Sequence, residues 1–138
     1  MINWTNLDEL AAYKKLVSCK KVDLTKAMNG AEGADRVAKY SVPMSSGLTY
    51  SFASKQVDDE ILGALCDLAK AAQLSEKFAA LYNGEVINTG EKRLVLHQLC
   101  RGQLGDKVVA DGTDKREFYV AQQTKIAEFA KKVHAGEI

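Results

Sequence analysis

Apolar residues recur along this chain mostly at the three-and-four spacing of a helix, in runs closed by glycine or asparagine. The clearest run is "VDDEILGALCDLAKAAQL". In it Ile61, Leu62, Leu65, Leu68, Ala69 and Ala72 share a face, Asp58 stands at the N-cap, and Val57 and Leu62 occupy the places of a hydrophobic staple. "NLDELAAYKKLV" sets Asn6 three residues ahead of Glu9, the reciprocal capping pattern, and brings Leu7, Leu10, Ala11 and Val17 to roughly one side. A shorter helix over "DLTKAMNG" has Asp23 to cap its start and Asn29-Gly30 to stop it. Ser75 opens another, "SEKFAALYNG", which Asn83-Gly84 ends. In the last run, "DKREFYVAQQTKIAEFAKKVHAG", Asp114 and Glu117 repeat the capping pattern, while Tyr119, Ile126, Phe129, Ala130 and Val133 fall on one face. Lys131, Lys132 and His134 sit in its final turn, where the helix dipole favours cations.

One region breaks this period. In "SGLTYSFAS", Leu48, Tyr50 and Phe52 alternate with Thr49, Ser51 and Ala53, the period of two of a strand. "RVAKYSV" alternates less cleanly, and "PMSSG" between them supplies a turn, so the pattern predicts an antiparallel hairpin over about residues 37–53. Two strands alone are marginal in water, so the hairpin must lean on the helices or on a surface outside the chain. "KVVADG" is a short apolar run closed by an Asp-Gly turn.

The stretch "EVINTGEKRLVLHQLCR" predicts a further helix. Asn88 and Glu91 form its capping pattern, Val95, Leu96, Leu99 and Cys100 its buried side, and Gly102 its stop, with Arg93, His97 and Arg101 along one flank. The fold class that follows is mainly α with one small antiparallel β-hairpin, in a single helical domain over residues 1–138. A lone proline, Pro43, suits a chain whose helices end on glycine and asparagine.

Charge narrows the partners. With 19 basic against 18 acidic residues the formal net charge is +1, which offers no footprint for nucleic acid or an anionic membrane. No apolar run approaches the roughly 18 residues needed to span a bilayer, and "MINWTNLDELAAY" lacks a signal-peptide pattern, so a cytoplasmic protein is expected. Cys19, Cys66 and Cys100 are odd in number and widely spaced, which reads as reduced core thiols.

Candidate chemistry is sparse. His97 and His134 are far apart and no cysteine lies at ligand spacing from either, so no metal site is expected. His97 and Cys100 share a helix face at three residues apart, but no third group orients the histidine, and a core thiol is the better reading. Arg93 and Arg101, two turns apart on the expected helix, are candidates to grip an anion, though surface ion pairs with Glu91 or an aspartate compete. "DDE" at Asp58 to Glu60 sits where a helix start favours negative charge. No self-sufficient catalytic constellation emerges.

A resemblance supplies what the residues alone do not. "LYNGEVINTGEKRLVLHQLCR" followed by "VVADG" is similar to the N-terminal part of glucose-6-phosphate isomerases, which carry F-x-G-E-x-I-N-x-T-E-x-R-A-V-L-H-x-A-L-R ahead of I-L-V-D-G. Gly84, Glu85, Ile87, Asn88, Glu91, Arg93, Val95, Leu96, His97, Arg101, Asp111 and Gly112 match without a gap. "LCDLAK", "LTYSFASK" and "FAKKVHAGEI" resemble the family's flanking helix, hairpin strand and closing helix. Gly90, Leu94 and "QLC" depart from the pattern, and "RGQLGDK" lacks the family's R-N-R-S-N run, which marks a divergent branch.

The resemblance implies the N-terminal helical part of an αβα sandwich enzyme that interconverts glucose 6-phosphate and fructose 6-phosphate by proton transfer through an enediol. It implies a homodimer and no coenzyme, since that chemistry needs only acid–base groups. The family's I-G-I-G-G-S phosphate loop begins shortly beyond the position of Ile138, so the catalytic domains and the sugar phosphate site are expected outside this chain. No catalytic, cofactor or metal residue is assigned here. Asn88, Glu91, Arg93, His97 and Arg101 are read as structural or interface residues that pack on the remaining catalytic domains or across the dimer. Arg93→Ala is accordingly expected to leave a buried partner unpaired. The alternative is a free-standing helical binding or regulatory module derived from that scaffold.

Overall fold

The computed structural model describes residues 2–102 and 106–138. Among them are six α-helices and three two-stranded antiparallel sheets, so the fold is mainly α. The chain divides into two compact units, Asn3–Gln73 and Leu74–Ile138.

The first unit is built on two helices, α1 (Ala11–Ser18) and α4 (Asp59–Ala71), which pack together and are tied by Lys15 Nζ to Asp67 Oδ2 at 2.9 Å. Asp58 caps α4 as the sequence predicts, accepting from Ile61 N at 2.8 Å, and Ile61 and Ala64 are its buried residues. The capping pattern at Asn6 resolves differently. Its carboxamide reaches the Glu9 carboxylate at 3.4 Å, a single 3₁₀ turn covers Leu7–Glu9, and α1 begins only after Leu10, which is extended.

Asp23 caps the one-turn α2 (Leu24–Ala27) through the amides of Thr25 and Lys26. At Asn29-Gly30 the chain does turn, with Gly30 at φ 60, but a new helix starts at once. This α3 (Gly30–Lys39) occupies the first residues of the expected hairpin, because Ala31, Ala34 and Ala38 are strong helix formers and Arg36 is held at its end. The hairpin itself is present within the expected range. β1 (Ser41–Pro43) pairs with β2 (Thr49–Ser51), Val42 opposite Tyr50, around a 3₁₀ turn at Ser45–Gly47.

Arg36 joins helix and hairpin. Its guanidinium donates to the carbonyls of Ala53 at 2.8 Å, Lys55 at 3.0 Å and Val57 at 2.6 Å, and lies 4.7 Å from the Tyr40 ring centroid. Tyr40 is buried against Phe52, and its hydroxyl donates to Asp59 Oδ1 at 2.9 Å. Lys39 Nζ holds the other oxygen of that carboxylate at 2.6 Å. The Asp59 carboxyl is therefore held below the usual carboxylate range, first by Lys39 and then by Tyr40, while the Lys39 ammonium is raised by the same bond. The Tyr40 phenol is raised, chiefly by burial and then by Asp59.

The second unit runs from α5 (Leu74–Tyr82) through β3 (Val86–Asn88), β4 (Arg93–Leu94), a 3₁₀ turn at His97–Cys100, β5 (Val109–Ala110) and β6 (Thr113–Asp114) to α6 (Lys115–His134). Ala80, Leu99 and Val108 are its buried apolar residues among those described. Asn83-Gly84 ends α5, with Gly84 at φ 72 and its amide donating to Leu81 O at 3.1 Å. Asp111 and Gly112 both take positive φ, 52 and 70, the pair that a two-residue hairpin turn requires. Asp114 caps α6 by accepting from Arg116 N at 2.9 Å.

The three cysteines are free, as expected, but Cys66 and Cys100 are exposed and Cys19 is half-buried, so the expectation of core thiols fails. Cys66 lies two residues beyond the buried Ala64 of α4, and Cys100 one residue beyond the buried Leu99 of the 3₁₀ turn.

Candidate functional site

The matched phrase does not form the expected helix. Val86 pairs with Leu94 and Asn88 with Arg93, making a short irregular hairpin, and the chain then enters the 3₁₀ turn at His97–Cys100. The Asn88–Glu91 pattern is real. Asn88 Oδ1 accepts from Glu91 N at 3.2 Å and Asn88 Nδ2 donates to Glu91 Oε2 at 3.3 Å. It closes a β-turn instead of a helix start, since the same side-chain bond serves both. Gly90 and Lys92, the latter at φ 54, turn the chain back on itself.

Of the five motif residues, the structure brings together Asn88, Glu91 and Arg93 at the hairpin tip. Arg93 Nη1 lies 3.7 Å from Glu91 Oε2, and the two side chains are 77% and 63% exposed. Arg93→Ala therefore removes an exposed ion pair and leaves no buried partner, contrary to the expectation above. His97 and Arg101 follow in and after the 3₁₀ turn, both exposed. Arg93 and Arg101 no longer share a helix face, which removes the expected geometry for gripping an anion. Residues 103–105 of the "RGQLGDK" run lie outside the described residues.

Other residues hold this region in place. Gly84 sits against Val108, and a Cβ at Gly84 would collide with the Val108 γ-methyls. Gln98 Nε2 donates to Leu81 O at 2.9 Å, and Gln123 Nε2 donates to Cys100 O at 2.8 Å. Lys115 N donates to Val108 O at 2.8 Å, and Lys107 pairs with the half-buried Asp114 at 3.6 Å. The two halves of the phrase, "NGE…" and "VVADG", thus meet at Gly84 and Val108. Sequence reasoning marked Gly84 as a helix stop and missed its contact with Val108. No local pattern betrays Gln98 or Gln123 either, since their partners are backbone carbonyls 17 and 23 residues away.

Nothing in this arrangement collects reactive groups. Among the described residues no three His, Cys, Asp or Glu side chains are grouped to hold a metal, and no helix is long and apolar enough to cross a membrane. One depression is lined by Ala27, Glu32, Asp35, Arg36, Lys39 and Tyr40 and another by Arg116, Glu117, Val120 and Ala121, and no motif residue lines either. The arrangement is that of a scaffold: side chains spent on backbone carbonyls, with charged motif residues left at the surface.

Comparison with known proteins supplies the class. Residues 51–138 match the family model for phosphoglucose isomerase. A glucose-6-phosphate isomerase of Treponema denticola is 43% identical over 142 residues, covering 99% of this chain and 27% of the relative. Those of Treponema pallidum and Borrelia garinii are 41% and 39% identical, covering 98% and 100% of this chain and 26% of each relative. The chain belongs to the phosphoglucose isomerase family. It spans about a quarter of the length of the curated relatives it matches.

Proposed function

We propose that this chain is the N-terminal quarter of a glucose-6-phosphate isomerase that interconverts glucose 6-phosphate and fructose 6-phosphate by enediol proton transfer. The observation that carries this reading is identity of 36–43% to seven enzymes of that name over 98–100% of the chain. In this reading the proton-transferring groups and the phosphate-holding loops belong to the other three quarters of the polypeptide. Asn88, Glu91, Arg93, His97 and Arg101 then shape and decorate the hairpin and 3₁₀ turn as structural or interface residues. The working enzyme is a cytoplasmic homodimer that needs no cofactor.

The test is to read the gene past codon 138 and to assay both products for isomerisation of glucose 6-phosphate. An active longer polypeptide and an inactive chain of residues 1–138 are expected. Activity in residues 1–138 alone would place the reacting groups here and overturn the division of labour. A longer polypeptide that leaves glucose 6-phosphate unchanged would overturn the substrate.

A further inference from the structure

Two Asn-Gly pairs, Asn29-Gly30 and Asn83-Gly84, stand at helix ends in this chain. An asparagine ahead of glycine can react with its own backbone, because a residue without a Cβ leaves its nitrogen open to the preceding carboxamide. The attack needs a glycine nitrogen not already spent as a donor, a carboxamide free of partners, and a peptide able to rotate. At Asn83 none of the rotation is available. Asn83 N donates to Ala79 O at 2.9 Å, Gly84 N to Leu81 O at 3.1 Å and Glu85 N to Ala80 O at 2.9 Å, while Val108 fills the space beside the Gly84 α-carbon.

At Asn29 the conditions are reversed. Asn29 and Gly30 are both exposed, the Asn29 side chain makes no cap bond to α3, and nothing lies within 4 Å of the place a Gly30 Cβ would take. Gly30 N is the first amide of α3 and has no intrahelical acceptor. From its ψ of 145 the Asn29–Gly30 peptide must swing by about a quarter turn before that nitrogen meets the side-chain carbon. The bond opposing the swing, Gly33 N to Asn29 O, is 3.3 Å long and therefore weak, and it belongs to the first turn of a helix, which frays readily.

We propose that Asn29 is a site of spontaneous backbone modification and that the fold shields Asn83, the same pair in chemical terms. Gly30 N bonds to Asn29 Cγ, the Cγ–Nδ2 bond breaks, and the Gly30 amide proton leaves with the departing nitrogen as ammonia. A five-membered succinimide remains. Water opens it at Cγ to give an aspartate in a normal backbone, or at the main-chain carbonyl to give isoaspartate, whose chain runs through the former side chain. Isoaspartate lengthens the backbone by one atom where α2 and α3 approach most closely, since Gly33 is buried there against the Met28 backbone with no room for a Cβ. A displaced start of α3 displaces Arg36, which holds the carbonyls of Ala53, Lys55 and Val57. The pair thus acts as a slow clock that loosens the hairpin of aged molecules.

The test ages the full-length polypeptide of this gene in warm, mildly alkaline buffer, native and in guanidinium chloride, and digests it with trypsin. The two pairs fall in separate peptides, residues 27–36 and 78–92. Conversion is read as the mass gain of amide to acid, and isoaspartate as methylation of the peptide by an isoaspartyl methyltransferase. In the native protein Asn29 is expected to convert at least about tenfold faster than Asn83, whose reaction waits for local opening, and in guanidinium chloride the two rates are expected to converge. Equal native rates, or Asn83 ahead, overturn the proposal. So does an Asn29 left intact in the native sample over a period in which the denatured chain converts. Asn29→Gln removes the five-membered closure without removing any side-chain bond, so its urea midpoint is expected to hold on ageing while that of wild type falls. An equal fall in both overturns the link from Asn29 to the hairpin.

Discussion

Single residues in this chain are spent on holding backbone, and their substitution effects follow from that. Gly84 needs a positive φ and has Val108 against its α-carbon, so Gly84→Ala adds backbone strain to a clash. A loss of about 2–4 kcal/mol is expected, read as a lower urea midpoint at unchanged slope. Arg93→Ala, by contrast, breaks only an exposed pair and is expected to cost at most about 1 kcal/mol in residues 1–138. A larger loss in the full-length protein than in this chain would mark Arg93 as an interface residue there.

The Tyr40–Asp59–Lys39 group gives a pH dependence with a definite sign. Asp59 is depressed, so its contribution is present above the ordinary carboxylate range and is lost as pH falls through its lowered folded value. Lys39 and Tyr40 are raised, so theirs are present below about pH 10 and are lost as pH rises through their raised folded values. Tyr40→Phe removes one of the two alkaline contributions. Its urea midpoint is expected to be lower than wild type at neutral pH yet to decline less steeply above about pH 9. An identical alkaline slope in both proteins would remove Tyr40 from the account.

At the scale of elements, most helices were legible because their caps are local. Asp58 and Asp23 accept amides of the helical turns they were expected to cap, and Asp114 caps α6 through Arg116 N, one residue before the Glu117 of its pattern. Asp58→Ala is expected to cost about 1 kcal/mol and to show as faster amide exchange in the first turn of α4. The phrase from Glu85 to Arg101 was misread as a helix because Asn88 and Glu91 make the same bond at a β-turn as at a helix start. What decided between them was the pairing of Val86 with Leu94, together with the left-handed Lys92, and no capping rule reports either. α3 was missed for a related reason, since Asn29-Gly30 marks a turn whether or not a helix follows. The motif residues were found in the sequence through their spacing, whereas Gln98, Gln123 and Arg36 bond to carbonyls brought near only by the fold.

Over the whole molecule the family was legible from the phrase alone, but the phrase says nothing about how much surface the chain leaves open. The apolar face of α6 was visible as a face, and its burial was the natural assumption. The structure shows it uncovered, and the hairpin residues Met44, Leu48 and Tyr50 are exposed as well. Residues 1–138 alone are accordingly expected to bind the dye ANS strongly at neutral pH while keeping native-like far-UV circular dichroism. The full-length protein under the same conditions is expected to bind much less. Equal fluorescence from the two would mean that the apolar surface stays open in the longer chain.

The short hairpin before α6 acts on that surface at a distance. Asp114 is at once the last residue of β6 and the cap of α6, and Lys115 is already bonded to Val108, so strand passes into helix without slack. The turn at Asp111-Gly112 therefore serves as the indexing pin of a dial whose pointer is Phe129. One residue inserted after the cap would turn that pointer by about 100° and carry the whole apolar face of α6 away from whatever it faces, with every contact behind the cap intact.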